Sequence, residues 1–191
     1  MNKTQRILVY GFGPYRQFRE NITAKIVRSL PAAPGVRRVV FRVRFHRAQF
    51  VEALERHQPD AVLGLGQSSR GTIEFETRAA NRRRAGKKAK VRAILERGPR
   101  WLPTTLDLKF GPAVKRSTNA GDYVCNFSMY VMLDQIQRAA AKTQVGFIHV
   151  PHDFALHEAT RIVAGALRKL TKTSVGAKTK PGSKAGAPSP T

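Results

Sequence analysis

The sequence predicts an α/β protein with one sheet covered by helices on both faces. Two apolar runs, "RILVYGFG" (6–13) and "DAVLGLGQSSRG" (60–71), read as buried strands that end in glycine-rich turns. Amphipathic helical patterns separate the strand-like segments. The resulting order, strand, helix, strand, helix, strand, is the one that builds such a sheet. Sites on sheets of this kind form in the loops at strand ends.

After the first strand, Asn21 can cap a helix whose Ile22, Ile26, Val27 and Leu30 share one face. "VRRVVFRVRF" (36–45) alternates basic and apolar residues, which suits a strand with one buried face. A second amphipathic helix over 46–57 carries Phe50, Val51 and Leu54 and leads into the strand at 60–71. Residues 82–100 hold nine Lys or Arg against a single acid, Glu96, and are expected to form a mobile basic loop. "AVKRSTNAG" reads as a strand and turn, followed by a helix over 125–141, the strand "VGFIHVP" (145–151) and a last helix over 155–170. Ile162, Val163, Ala166, Leu167 and Leu170 form the apolar side of that helix. The expectation is one domain over 1–170. Residues 171–191, rich in Pro, Gly, Ser and Lys, lack the large apolar residues that offset ordering entropy, so a disordered tail is expected.

The 35 Lys and Arg against 12 Asp and Glu give a formal charge of +23, which attracts polyanions through counterion release. Nucleic acid is therefore a rival partner. No RRM, KH or helix-turn-helix pattern appears, however, and the basic runs lack interleaved aromatics, so a solvated face accounts for them. One cysteine cannot form an intramolecular disulfide, and no run is long enough for a signal h-region or a membrane span. A soluble cytoplasmic protein is expected.

The single thiol, Cys125, lies in "STNAGDYVCNFSMY" (117–130), where a loop turns into a helix. A helix N-terminus favours thiolate over thiol and offers N–H donors to an oxyanion. That suits a nucleophile, while a small core filler is the competing reading, because free cysteine is among the most buried residue types. His149 sits near the end of an apolar strand, far enough along the chain for a helix and a returning strand to bring it back to Cys125. A thiol and an imidazole so placed can exchange the proton that nucleophilic catalysis needs. A carboxylate to orient the ring could come from Glu74 or Glu76 in "TIEFETRAAN"; both share one strand face, and spacing does not rank them.

These words together resemble the pyroglutamyl peptidase I family, the C15 cysteine peptidases. Ser117, Ala120, Gly121, Tyr123, Cys125 and Asn126 match the nucleophile motif, and Gly146 to Pro151 match the histidine motif throughout. Arg70, Glu76, Ala79 and Asn81 fall in register with the glutamate segment, which selects Glu76 over Glu74. "GFGPY" resembles the family's glycine-proline-aromatic turn. The resemblance implies a three-layer α/β/α sandwich around a central mixed sheet, of the phosphorylase/hydrolase-like kind. It further implies removal of an N-terminal pyroglutamyl residue from peptides with a blocked N-terminus, through a thioester and with no metal or organic cofactor. Cys125 would be the nucleophile, His149 the proton carrier and Glu76 its orienting acid. Phe12 and Tyr15 would flank the lactam ring, with Asn21 and Gln67 completing the substrate-binding set. Relatives commonly form homotetramers. The sequence departs from the family where an acidic run is replaced by "RRRAGKKAK" and where Asn-Pro-Ser/Thr reads "NIT". A non-catalytic homologue of the same fold and a polyanion binder are the alternatives to the peptidase.

Overall fold

The computed structural model describes residues 4–15 and 18–173. Strands β1 (Ile7–Phe12), β2 (Val36–Phe41), β3 (Ala61–Ser68), β4 (Ile73–Glu76), β7 (Val114–Ser117) and β8 (Gln144–Pro151) form one six-stranded sheet in the order β2-β1-β3-β8-β4-β7. The first four run parallel, and β4 pairs antiparallel with β8, which makes the sheet mixed. Strands β5 (Arg78–Ala80) and β6 (Trp101–Pro103) form a separate antiparallel pair.

Burial follows sheet position. Every residue of β1 is buried because both its faces are covered, whereas β2, at the sheet edge, exposes Arg37 and Arg38. Strand β2 stops at Phe41, short of the expected 45. Its neighbour runs out there: Gly13 donates to the Phe41 carbonyl, and the next residue is Pro14, which has no N–H.

Helices α1 (Ile22–Ser29) and α4 (Leu156–Thr173) cover one face, packing on Ile7, Val9, Leu63, Phe75 and Ile148. Helices α2 (Arg47–His57) and α3 (Val124–Arg138) cover the other, over Leu8, Tyr10, Val62 and Phe147. Adjacent residues of one strand thus feed two different cores, as the pleat requires. This is the three-layer α/β/α sandwich. Asn21 caps α1 as expected, its Oδ1 accepting from the Thr23 N–H at 3.0 Å. Helix α4 runs to Thr173, three residues into the stretch expected as tail; residues 174–191 of that expectation lie outside the described residues.

The basic segment 82–100 has no helix and only one bridge, between Arg83 and Arg92, yet it has a hydrogen-bonded frame. Asn81 donates to the Leu95 and Gly98 carbonyls and accepts from the Ile94 and Leu95 N–H groups, at 2.7–3.1 Å. The Tyr130 hydroxyl donates to the Pro99 carbonyl at 2.9 Å. Positive charge read alone suggested mobility, and the polar side chains at the base of the segment supply the local order that charge could not indicate.

Candidate active site

The second residue of α3 is Cys125. Gly121, at φ 81°, makes the left-handed turn that precedes the helix, and Tyr123 enters it in extended conformation. No side chain caps α3, and Phe127 makes the first backbone bond to Tyr123, so the earlier N–H groups of the first turn are left for another acceptor. Asn126 locks this end of the helix in place. Its amide accepts from the Ala80 N–H and donates to the Ala80 and Arg82 carbonyls, each at 2.8 Å.

On β8, Ile148 and Val150 face the α1/α4 core, so the pleat turns His149 toward α3. His149 is only 5 % exposed. Strand register sets Gly66 of β3 on one side of it and Glu74 of β4 on the other. The partner of the ring is nevertheless Glu76, one diagonal step along β4: its Oε1 lies 2.7 Å from His149 Nδ1. Arg70 ties the two glutamates together. Its guanidinium binds both Glu74 and Glu76, the latter at 3.0 Å, and also reaches the Ser117 hydroxyl and the Asn119 carbonyl. Glu74 stays at the rim with Arg70, while the fully buried Glu76 meets both Arg70 and the ring through the same Oε1.

With Nδ1 committed to Glu76, the other edge of the ring faces the sulfur across Gly66. A β carbon on Gly66 would lie 2.8 Å from Cys125 Sγ, 2.8 Å from His149 Cδ2 and 2.7 Å from Phe147 Cε1. Sulfur and ring are therefore no farther apart than twice the shorter contact a side chain would make with either. Burial disfavours a charged His149, but hydrogen bonds and charge from the Cys125 sulfur and Glu76 outweigh it, and its pKa is pushed up to about 9. Burial likewise acts to raise Glu76, but His149, the Ser117 hydroxyl and Arg70 together hold its carboxyl below the usual carboxylate range.

Cys125 opens onto a cavity of about 380 Å³ that is also lined by Phe12, Tyr15, Asn21 and Gln67. The four residues expected to bind substrate thus share one cavity with the thiol. Tyr15 packs against Tyr123 with ring centroids 5.2 Å apart. The amide oxygens of Asn21 and Gln67 are spent on α1, accepting from Thr23 and Ile22, which leaves their NH₂ groups for the cavity. A second cavity, about 440 Å³, lies where β3 and β8 begin, lined by Arg6, Asp60 and Thr143, and contains none of these residues. The chemistry sits at the carboxyl ends of the parallel strands, where such sheets place it.

Spacing did not identify Gly66, Arg70 or Asn126 as parts of this arrangement. Gly64 and Gly66, two apart on an otherwise apolar strand, were the available signal. Missing β carbons on one strand face mark a close approach by something else, here Tyr10 and Phe147 at Gly64 and the thiol and imidazole at Gly66.

Comparison with known proteins bears on the family and the fold. The family model described as pyroglutamyl peptidase matches residues 108–159, a span that includes Cys125 and His149 but not Glu76. A pyrrolidone-carboxylate peptidase of Streptococcus suis is 31% identical over 167 residues, covering 76% of this chain and 77% of its own. The chain belongs to the pyroglutamyl peptidase family. A pyrrolidone-carboxylate peptidase of Saccharolobus islandicus is 28% identical, with 80% of each chain covered. Among solved structures, the pyrrolidone carboxyl peptidase of Thermococcus litoralis superposes with a TM-score of 0.78 at 20% identity, over 90% of this chain and 94% of that one. That of Pyrococcus furiosus gives 0.78 at 23%, over 88% and 99%. At these identities the structures establish the shared fold. Among the described residues of this family member, no group of three or more His, Cys, Asp or Glu could hold a metal ion, and no helix is long and apolar enough to cross a membrane.

Proposed function

We propose that this protein is a cysteine-type omega peptidase that removes an N-terminal pyroglutamyl residue from peptides through a thioester. The observation that carries the reading is the run Glu76–His149–Cys125, ending at an uncapped helix N-terminus inside a cavity with no acid among the described residues that line it. A free peptide α-ammonium would find no carboxylate there, whereas a neutral lactam loses nothing by entering. Blocked N-termini are thereby favoured.

In this reading the Cys125 sulfur attacks the carbonyl carbon of the 5-oxoproline residue. The oxyanion takes hydrogen bonds from the N–H groups of the first turn of α3, each worth about 3 kcal/mol in such sites. His149, holding the proton, delivers it to the departing amine as the C–N bond breaks and the thioester remains. Water then attacks the thioester, His149 takes its proton, and the C–S bond breaks to release pyroglutamate and the thiolate beside the recharged imidazolium. Glu76 keeps Nδ1 protonated and the ring aimed at the sulfur throughout. Phe12 and Tyr15 pack on the lactam ring, and the NH₂ groups of Asn21 and Gln67 donate to its oxygen. A cytoplasmic site of action suits a chain whose lone cysteine must stay a free thiol.

The reading is tested with coumarin amides of pyroglutamate, proline and glutamine. Release of fluorophore from the pyroglutamyl amide alone is expected. Equal release from the proline amide, or none from pyroglutamate, would contradict it.

Glu76 also sets the pH dependence. His149 is raised above its ordinary 6.5, so the stabilisation that its charged form draws from Glu76 and the sulfur is fully present below pH 6.5 and is lost as pH rises through about 9. Since imidazolium is the acid for the leaving amine, kcat/KM is expected to fall along a limb near pH 9. In Glu76→Gln that limb moves to lower pH by about one pH unit, because an ionic hydrogen bond becomes a neutral one. A pH–rate profile over pH 6–10 of both proteins measures the displacement.

A further inference from the structure

The basic segment 82–100 has no task in the mechanism above, yet one of its residues stands in the cavity. Arg83 and Arg92 pair through two backbone hydrogen bonds, at 2.8 and 2.9 Å, and close a small hairpin with a turn from Gly86 to Ala89. Its base is fastened to the approach to α3. The Arg84 N–H donates to the Asp122 carbonyl at 2.7 Å, and the Arg84 guanidinium pairs with the Asp122 carboxylate at 2.8 Å. Asp122 is three residues from the thiol. The tip of the hairpin is thus held against the active-site mouth, and Lys87 lines the same cavity as Cys125.

Lys87 is exposed, and it makes no ion pair or hydrogen bond among the described residues. Among the described residues no Asp or Glu lines the cavity, and Asp122, in the loop that leads into α3, is spent on Arg84. Lys88 and Lys90 beside it add charge of the same sign. The mouth therefore carries positive charge that no acid among the described lining residues offsets. A substrate can neutralise it, and its covalent structure limits where. The pyroglutamyl residue is uncharged and is the first residue of its peptide. Any negative charge must lie on the leaving side of the scissile bond.

We infer that Lys87 is a specificity residue, which favours pyroglutamyl peptides whose residue after the scissile bond carries a carboxylate. This rests on the peptidase reading. The carboxylate has two possible sources, an acidic side chain or the free C-terminus of a dipeptide, and three substrates separate them: pyroglutamyl-glutamate amide, pyroglutamyl-glutamine amide and pyroglutamyl-glutamine free acid.

For the wild-type protein at low salt, kcat/KM for at least one carboxylate substrate is expected to exceed that of the neutral amide about three- to fivefold, the yield of one exposed ion pair. Preference for the glutamate amide identifies the side chain as the partner, and preference for the free acid identifies the terminus. The ratio falls to about one in Lys87→Gln, inverts in Lys87→Glu, survives in Lys87→Arg, and shrinks as added salt shortens the Debye length. The same preference in Lys87→Gln as in wild type, or no preference in wild type, overturns the inference. Cleavage of all three substrates without charge preference removes only the role of Lys87; failure to cleave any of them removes the peptidase reading as well.

Discussion

Cys125→Ala is expected to abolish hydrolysis of a pyroglutamyl amide, with kcat falling by roughly five orders of magnitude or more. The size of the effect comes from the mechanism: without sulfur there is no thioester, and the remaining groups can only assist direct attack by water. His149→Ala should cost nearly as much, because the two act as one unit and each is of little use alone. The fold should survive both substitutions. Cys125 is only partly buried, and the α3 end is held by Asn126 through three hydrogen bonds that neither change touches. Single-turnover assays, with circular dichroism to follow the fold, check this. Wild-type cleavage by Cys125→Ala would remove the sulfur from the mechanism.

Gly66→Ala is expected to lower kcat by about a hundredfold or more while the protein still folds. The added methyl would sit 2.8 Å from the sulfur and from the imidazole, and 2.7 Å from Phe147, closer than a real β carbon comes to its neighbours. Phe147 is fully buried and His149 nearly so, which leaves the ring little room to retreat. The more exposed thiol must give way. A shift of about 1 Å between reacting groups costs on the order of a hundredfold in rate. Overpacking adds about 1–3 kcal/mol of destabilisation. Steady-state kinetics together with urea unfolding separate the two effects: a large drop in kcat with a folded baseline is the expected pattern. Near-normal kcat would mean that sulfur and ring do not converge across this glycine.

The contrast between Cys125 and Glu76 shows how far local pattern reaches. Cys125 could be placed at a helix start from its own neighbours, since "NAGDYV" before it and the periodic run after it are contiguous in sequence. His149 on an apolar strand was legible in the same way. The carboxylate was not. Glu74 and Glu76 share a strand face, so periodicity treats them alike, and only the motif resemblance favoured Glu76. What separates them in the molecule is depth: Arg70, on the loop before the strand, binds both, but Glu74 lies at the rim and only the buried Glu76 reaches the ring. That is a relation among a loop and two strands, to which no single stretch of sequence points.

Strand ends and the basic segment follow the same division. The alternation in 36–45 indicated a strand with one buried face, but its place at the sheet edge and its stop at Phe41 depend on the sheet order and on where the adjacent β1 meets Pro14. Charge alone suggests a mobile loop over 82–100, while the hydrogen bonds at its base come from Asn81 and from Tyr130 on α3.

By itself, then, the sequence determined the α/β class, the helix that carries the thiol, the strand that carries the imidazole and the identity of the chemistry they could perform. The class and the two elements rest on hydrophobic period and on neighbours a few residues apart, and the chemistry on the resemblance of their motifs. Tertiary structure alone decided how Glu76 reaches the ring, why Gly66 must lack a side chain and where Lys87 stands. Each of these depends on distances between groups dozens of residues apart in the chain, and such distances exist only once the sheet register and the pleat have set them.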